Sequence, residues 1–218
     1  MFYQDLHNHT QWSDGDSTIE ALINRAREYG LQEIGISDHY EFVDDKVVYR
    51  EMLGSLKKKF QDIKVLIGTE IKIGTLLRVS HTDIDELNQY DYILIENLEY
   101  QSDIAEVLES LKDLSSKLTC KIGLAHLDLE QLGKLRGQVI EFMTQYNIFL
   151  DFNFEGTFYI NLLQGYGQIE DVLHQGIEVV VGSDTHSIDM DWWTNMVAAH
   201  EYLLKARKLY NKEGLRET

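Results

Sequence analysis

The sequence predicts an α/β fold in which about seven parallel strands close into a barrel. Three observations predict this fold: short apolar runs alternate with helical patterns, the runs are continuously apolar, and metal-competent residues follow every run. Continuous apolar runs are typical of parallel strands that are buried on both faces. Strand–helix repeats of this kind build a parallel sheet, either open or closed.

Seven runs are predicted to be strands. They read FYQDL, EIGIS, KVLIGT, DYILI, KIGLA, NIFLD and EVVVG, and cover residues 2–6, 33–37, 64–69, 91–95, 121–125, 147–151 and 178–182. Periodicity alone does not distinguish an open sheet from a barrel, so the choice depends on the polar residues that follow the strands.

Helical patterns lie between these runs. Ser17 with Glu20 is predicted to form a capping box for the first helix, which ends at Gly30, and Asp103 with Glu106 repeats the box. Two further apolar stripes at helical spacing are Leu132, Leu135, Val139, Ile140 and Met143, and Trp193, Met196, Val197, His200 and Leu204.

The net charge of −17 limits the classes of partner. Nucleic-acid binding requires clustered Lys and Arg, so the charge argues against it, and it also disfavours anionic membranes. A phosphate-bearing substrate would need bound cations to neutralise it. No basic region leads into an apolar run and no 18 apolar residues are consecutive, so neither a signal peptide nor a membrane span is expected.

Length and cysteine content complete this picture. The 218 residues fit one domain, and no proline or low-complexity stretch marks a linker. Cys120 is the only cysteine, which excludes a disulfide framework and favours a reducing compartment. The sequence therefore predicts a single barrel domain over residues 1–218, located in the cytoplasm.

Every predicted strand delivers residues that can bind a metal. In chain order these are His7 and His9, Asp38 and His39, Glu70, Glu96, His126, Asp151, and Asp184 and His186. In barrels and in open α/β sheets, sites are built at the carboxyl ends of the strands. Contributions from all the strands converge on one place if the sheet closes, so the pattern favours a barrel.

The residue types indicate the kind of metal. Histidine nitrogen with carboxylate oxygen suits Zn, Mn or Fe rather than Ca or Mg. His7 and His9 are two residues apart, so on an extended segment both rings point to the same side. A carboxylate such as Glu70 could bridge two ions, which could activate water and hold a phosphoryl or carboxyl oxygen.

Simpler interpretations exist for several of these residues. Asp14 and Asp184 could be turn residues, and Asp38 could cap a loop beside His39. Asp151 could orient ligand histidines. Asn153 could do the same, and the string FNFEGTFY around it could form a substrate wall or pack in the core.

Three histidines have ordinary explanations. His200 lies on an apolar stripe and is predicted to pack in the core. His174 closes a helix before Gly176, where an imidazolium favours the helix dipole. His81 could be a loop residue, begin a helix or face the site.

The motifs DLHNHT, SDG, ISDH, GTE, AHLD and SDTH occur in this order from Asp5 to His186. Together they resemble the PHP family, the polymerase and histidinol phosphatase group. The resemblance implies a distorted seven-stranded, TIM-like (β/α)7 barrel with two or three divalent transition metals, Zn, Mn or Fe.

The resemblance also implies a ligand set. One metal would be held by His7, His9, Glu70 and Asp184, a second by Glu70 and His126, and a third by Asp14, His39 and His186. The three ligands of the third metal are also the catalytic candidates. The sequence departs from the family at Leu98, where a histidine is usual; Glu96, Asn97 or Glu99 could substitute for it, or the second metal could be weakly held.

The function that the resemblance implies is a metal-dependent phosphoesterase. We expect a metal-activated hydroxide to hydrolyse a small phosphomonoester, with L-histidinol phosphate of histidine biosynthesis as the first substrate to test. The alternatives are a phosphodiesterase or exonuclease, a tyrosine-protein phosphatase, and a metal-binding or regulatory protein without catalysis. Arg50 and Arg78 are candidates for binding phosphate, or ordinary solvated arginines.

Overall fold

The computed structural model of the protein describes residues 2–153, 166–188 and 192–213. Its sheet contains seven strands that neighbour one another in the order of the sequence, and every neighbouring pair is parallel. The strands are β1 Gln4–Asp5, β2 Glu33–Ile36, β3 Lys64–Lys72, β4 Tyr92–Glu96, β5 Lys121–Leu124, β6 Phe149–Asn153 and β7 Val179–Gly182.

The first and last strands meet and nearly close the sheet into a barrel. The amide of Leu6 donates to the carbonyl of Val181 at 2.9 Å, and Asn8 forms an isolated parallel bridge with Thr185. The predicted (β/α)7 barrel is therefore confirmed. Each predicted run overlaps a strand, and three strands continue beyond their predicted ends: β3 to Lys72, β4 to Glu96 and β6 to Asn153.

Helices connect the strands. They are α1 Ile19–Glu28, α2 Lys46–Lys59, α3 Ile73–Leu76, α4 His81–Leu87, α5 Ile104–Ser115, α6 Arg136–Tyr146, α7 Tyr166–His174 and α8 Trp192–Glu213, with a 3₁₀ turn at Gly133–Leu135. Among the described helices, none combines the length and the apolar character that crossing a membrane requires.

One of the two predicted helix caps is displaced. The hydroxyl of Thr18, not Ser17, accepts the amide of Ala21 at 3.2 Å, so the prediction of Ser17 as the cap was wrong by one residue. Ser17 instead donates to the carboxylate of Asp16 at 2.7 Å. Asp103 does cap α5, because its side chain accepts the amide of Glu106, as the sequence predicted.

The interior of the barrel is filled with side chains, separately from the larger core between the barrel and its helices. Its members are Leu6, Tyr92, Leu94, Ala125, Phe149 and Val180. A Cβ atom at Gly35 or Gly68 would lie 2.1 or 2.2 Å from the Tyr92 side chain, so only glycine leaves room for this ring. The packing forms an apolar floor, and the polar strand ends lie beyond it.

Candidate metal centre

The carboxyl ends of the strands bring the predicted ligands together. Each has a nitrogen or oxygen atom within 3.4 Å of a ligand atom of another member of the set. The set is His7, His9, Asp14, His39, Glu70, His126, Asp184 and His186. We call this set the ligand cluster.

Glu70 lies at the centre of the ligand cluster. Its Oε1 is 3.4 Å from Nε2 of His7 and 3.2 Å from Nε2 of His126. Its Oε2 is 3.4 Å from Nε2 of His9 and 3.1 Å from Nδ1 of His39. The carboxylate is 1% exposed, so its charge is held among four imidazoles away from bulk water. This placement suits a carboxylate that bridges two cations.

His7 and His9 point their Nε2 atoms at each other, 3.0 Å apart, and Oδ1 of Asp184 lies 3.3 Å and 3.0 Å from these two atoms. The other nitrogen of His7, Nδ1, is 2.7 Å from Oδ2 of Asp151. This contact favours the tautomer in which Nδ1 donates to Asp151, which leaves the lone pair of Nε2 for a ligand. Asp151 thus has the orienting role that the sequence left open.

Asp14 gathers the outer part of the ligand cluster. Its carboxylate lies 3.4 Å from Nε2 of His39, 3.4 Å from Nε2 of His186 and 3.7 Å from Nδ1 of His9. His186 Nδ1 is 2.8 Å from the carbonyl of Asp184, which leaves its Nε2 for Asp14 or a metal. The side chains of Asp14 and His186 are 41% and 35% exposed, so this part faces solvent, whereas the His9 side chain beneath it is buried.

Asp38 supports the loop that carries Asp14 and does not join the ligand cluster. Its carboxylate accepts the amide of Thr10 at 2.6 Å, the hydroxyl of Thr10 at 2.7 Å and the hydroxyl of Ser13 at 2.6 Å. Of the two roles considered for Asp38, the structure thus gives the loop cap.

Sequence reasoning missed two supporting residues within the first motif. Oδ1 of Asp5 accepts the amides of His7 at 3.2 Å and Ser183 at 2.9 Å. The side-chain amide of Asn8 donates to the carbonyl of Gly35 at 2.9 Å. Both side chains are fully buried and tie β1 to its neighbours directly beside the ligands. Their position inside DLHNHT was the available signal.

Three non-glycine residues after strands have left-handed backbone conformations: Asn97 with φ 68°, His126 with φ 33° and Asp184 with φ 55°. Such conformations are uncommon outside glycine, and Asn, Asp and His tolerate them best. They cluster at functional sites when the surrounding structure holds them. Here two of the three residues belong to the ligand cluster.

Mutual contacts change the protonation of the ligand cluster. Burial lowers the pKa of His126, but the contact and the charge of Glu70 outweigh burial and raise this pKa to about 9. Burial raises the pKa of Asp184, but the nearby imidazoles of His7 and His9 lower it to about 2. In the metal-free protein, protons on the imidazoles therefore balance the charge of these carboxylates. A cation bound at the same place must displace those protons.

Unsatisfied atoms provide a test of whether the residues fit a metal. Buried atoms without a hydrogen bond include Nδ1 of His9, Nδ1 of His39, Oε1 of Glu70 and Oε1 of Glu96. Buried polar atoms normally have hydrogen-bond partners, so the lack of partners for these four atoms requires an explanation. Zn holds nitrogen and oxygen ligands at about 2.0–2.2 Å. The spacing of the ligand atoms, 3.0–3.7 Å for most contacts, therefore fits ions placed between them.

The other histidines lie elsewhere. His200 is buried, its Nε2 accepts the amide of Gln4 at 3.0 Å and its Nδ1 lies 2.9 Å from the carbonyl of Met196, which confirms the predicted packing role. His81 begins α4 and His174 ends α7, and both are exposed.

Neither arginine considered for phosphate binding is placed in the ligand cluster. Arg50 lies in α2, where its guanidinium is 3.4 Å from Glu86 and stacks over the Tyr90 ring. Arg78 lies in the turn after α3, and its amide donates to Thr75. Asn153 ends β6 and is buried, whereas the rest of the FNFEGTFY string and the side chain of Trp193 lie outside the described residues.

The family model of the PHP domain matches residues 5–155 of the chain. Among curated proteins, the chain is 25% identical over 240 residues to the DNA polymerase/3'-5' exonuclease PolX of Bacillus subtilis. That match covers 98% of this chain and 40% of the polymerase. The chain thus spans less than half the length of the curated relatives it matches.

Two solved structures share the fold. The histidinol phosphate phosphatase of Lactococcus lactis, determined with zinc, L-histidinol and phosphate, aligns with TM-score 0.66 and 16% identity over 94% of this chain and 93% of that chain. A chain of an archaeal ribonuclease P complex with mature tRNA aligns with TM-score 0.54 and 14% identity over 96% of this chain and 91% of that chain. Both alignments show that the fold is shared.

Proposed function

Because the chain belongs to the PHP domain family, we propose that it is a metal-dependent phosphoesterase that hydrolyses a small phosphomonoester. The observation that carries this proposal is the position of Glu70, a buried carboxylate within 3.4 Å of four imidazoles that follow three different strands, β1, β2 and β5. A packed core has no need of so many ionisable groups, and each is a ligand that Zn, Mn or Fe accepts.

The ligand cluster would hold two or three such ions. His7, His9, Glu70 and Asp184 would hold one ion, Glu70 and His126 a second, and Asp14, His39 and His186 a third. Bound there, the ions would supply a nucleophilic water and neutralise the oxygens of the phosphate.

The protein's own residues divide into a buried and an outer group. Asp151 holds the ring of His7 through the 2.7 Å contact and keeps its Nε2 directed at the centre of the cluster. Asp14 and His186 lie at the solvent-facing edge, with side chains 41% and 35% exposed. A leaving alkoxide can reach solvent at that edge, so the proton that it needs would come from water held there by the outer group of Asp14, His39 and His186.

The rim beside His39 offers contacts for the organic part of a substrate. The ring of Phe42 is 49% exposed and meets the His39 ring edge-on, with the centroids 5.1 Å apart. Nζ of Lys72, at the end of β3, lies 5.6 Å from the centre of the Phe42 ring. An aromatic face and a cation next to a metal ligand suit a small anion with a flat organic group.

L-histidinol phosphate is the first candidate substrate. The histidinol phosphate phosphatase aligns over 94% of this chain, and its structure contains the two products of that reaction together with zinc. Similarity of fold at 16% identity supports the reaction class more than the substrate, so the experiment must compare substrates.

A second candidate is a nucleic-acid phosphodiesterase, because the similarity to PolX covers 98% of this chain. The 37 acidic and 20 basic residues of this chain argue against the phosphodiesterase, since binding to a phosphate backbone depends on a surplus of Lys and Arg.

The experiment measures hydrolysis after the metal-free protein is loaded with Mn²⁺ or Zn²⁺. The substrates are L-histidinol phosphate, an aryl phosphate, a phosphotyrosine peptide and single-stranded DNA, and Glu70→Gln is the control for a contaminating phosphatase. We expect monoester hydrolysis that the control lacks. Degradation of DNA alone would support the phosphodiesterase, hydrolysis of the peptide alone a protein phosphatase, and metal binding without any turnover would contradict an enzymatic role.

A further inference from the structure

The loop after β4 departs from the family at the position where a histidine is expected. Leu98 occupies that position, is 1% exposed and belongs to the hydrophobic core between the barrel and the helices. An alkyl side chain packed in that core offers no ligand. If the second ion is held as tightly as in a histidine-containing site, another side chain of this loop must bind it.

Glu96, the last residue of β4, reaches the ligand cluster. Its residue exposure is 7%, and its Oε1 lies 3.7 Å from Nδ1 of His39. His39 Nδ1 is in turn 3.1 Å from Oε2 of Glu70. One ligand atom from each of these three residues lies within 4.8 Å of the other two, a spacing that one ion can span.

The two oxygens of Glu96 have different surroundings. Oε2 accepts the side-chain amide of Asn97 at 2.8 Å. Oε1 is buried without a hydrogen bond, as is Nδ1 of His39. A buried carboxylate oxygen that faces a second buried carboxylate is costly unless a cation or a proton lies between them.

The backbone after β4 holds Glu96 in this orientation. Asn97 has φ 68°, and its side-chain amide donates back to Glu96. Gln101 donates its side-chain amide to the carbonyl of Asn97 at 2.8 Å and fixes the turn. The free oxygen is therefore presented by a constrained loop.

We propose that Glu96 is a direct metal ligand that, with Glu70 and Nδ1 of His39, forms a carboxylate-rich cation position in place of the missing histidine. This assignment takes His39 out of the set for the third ion, because its Nε2 then carries the proton and donates to Asp14, 3.4 Å away, and it leaves Asp14 and His186 for the outer ion. Two carboxylates and one imidazole suit Mn²⁺ better than a site with more imidazoles, which suits Zn²⁺. The position therefore selects Mn²⁺ more strongly than the rest of the ligand cluster.

This inference rests on the proposed metal-dependent function, but its test counts ions and does not require turnover. The metal-free full chain is dialysed against buffered Mn²⁺, Zn²⁺ or an equal mixture, and bound metal per chain is measured by mass spectrometry. The variants are Glu96→Gln, Glu96→His and, as the matched control, Glu99→Gln, a nearby glutamate that is 9% exposed and also has a buried oxygen without a hydrogen bond.

We expect Glu96→Gln to bind about one Mn²⁺ fewer than the wild type at the same free concentration, and Glu99→Gln to bind the wild-type number. Glu96→His, which restores an imidazole, should keep the number of ions and shift the mixture towards Zn²⁺ by about tenfold. Circular dichroism of each variant checks the fold, and Glu96→His remains informative if Glu96→Gln does not fold.

Unchanged Mn²⁺ stoichiometry in Glu96→Gln, or an unchanged Zn²⁺ to Mn²⁺ ratio in Glu96→His, would overturn the proposal and leave Glu96 as a positioning residue for His39. Loss of the ion in Glu99→Gln alone would overturn it in favour of Glu99. If Glu96→Gln binds one ion fewer while the wild type hydrolyses no monoester, Glu96 is supported as a ligand and the phosphoesterase is contradicted. The failure of one proposal is therefore distinguishable from the failure of the other.

Discussion

The two ends of the barrel treat charge in opposite ways. At the amino end, ion pairs surround the apolar floor: Lys57 with Asp91 at 2.7 Å, Lys64 with Glu33 at 2.9 Å and Lys121 with Glu178 at 3.0 Å. The lysines are 39% to 62% exposed, so water shares the solvation of these charges. A pocket of about 340 Å³ lies among these pairs.

At the carboxyl end, the charges are buried and not all of them have hydrogen bonds. The side chains of His7 and His9 are 0% exposed and that of Glu70 is 1% exposed. One end therefore satisfies its polar groups in the folded chain alone, whereas the other leaves atoms available for ions. The difference indicates which end provides stability and which provides chemistry.

The largest effect should come from Glu70→Gln. The amide keeps the size of the side chain and loses the charge that four imidazoles surround. We expect a fall in kcat/KM of at least about 10³-fold, because bound metal contributes several kcal/mol to such reactions. The matched control is Glu178→Gln at the amino end, whose kinetics should equal those of the wild type; equal losses in both variants would contradict the division between the two ends.

Asp151→Asn should have a smaller effect. The change retains a hydrogen bond to Nδ1 of His7 but removes the charge that supports it. Partners of ligand histidines typically contribute about 10–100-fold to metal affinity or activity. Metal titration followed by kinetics at saturating metal measures both, and an unchanged affinity with unchanged turnover would remove Asp151 from the site.

Metal binding should depend on pH through His126. Its pKa is raised from 6.5 to about 9, so in the metal-free protein its protonation stabilises the fold fully below pH 6.5. That contribution is lost as the pH rises through 9. Because the ion must displace this proton, metal affinity should rise by up to about tenfold per pH unit from pH 7 towards 9.

Calorimetry in two buffers with different ionisation enthalpies measures the protons released per ion. We expect a release for the wild type at pH 7 and a smaller release for His126→Gln. Binding heats that do not depend on the buffer would show that the imidazole is already neutral.

The smallest effect should come from Lys64→Met at the amino end. The pair with Glu33 is largely exposed on the lysine side, and such pairs contribute about 0–1 kcal/mol. We expect a change of at most about 1 kcal/mol in the free energy of unfolding, measured by urea denaturation, with unaltered kinetics. A large loss of turnover would show that the amino end takes part in the reaction.

The strands and the ligand cluster could be predicted because both depend on strong local patterns. Buried parallel strands require continuous apolar runs, and in a parallel barrel every run ends at the same face. The residues directly after the runs therefore had to converge, whichever helices lay between. The same reasoning placed His7 and Asp184 together, although they lie far apart in the sequence; Nε2 of His7 is 3.3 Å from Oδ1 of Asp184.

Other features depend on contacts that no local pattern contains. Thr18 and Ser17 can both cap a helix, and the choice between them follows from the contact of Ser17 with Asp16. Leu98 indicated that a ligand was missing, but the substitute depends on the left-handed turn at Asn97, which aligns Glu96 with His39. Asp38 resembled a ligand in sequence and became a loop cap because Thr10 and Ser13 lie within reach.

The most direct test of the contrast between the two ends is to locate the ions. Anomalous diffraction would be measured at the manganese edge from crystals grown with Mn²⁺. We expect manganese peaks at the carboxyl end, with one ion within about 2.0–2.3 Å of a Glu70 carboxylate oxygen, and none among the amino-end ion pairs. Ordered manganese only at the amino end, or none in contact with Glu70, would contradict it.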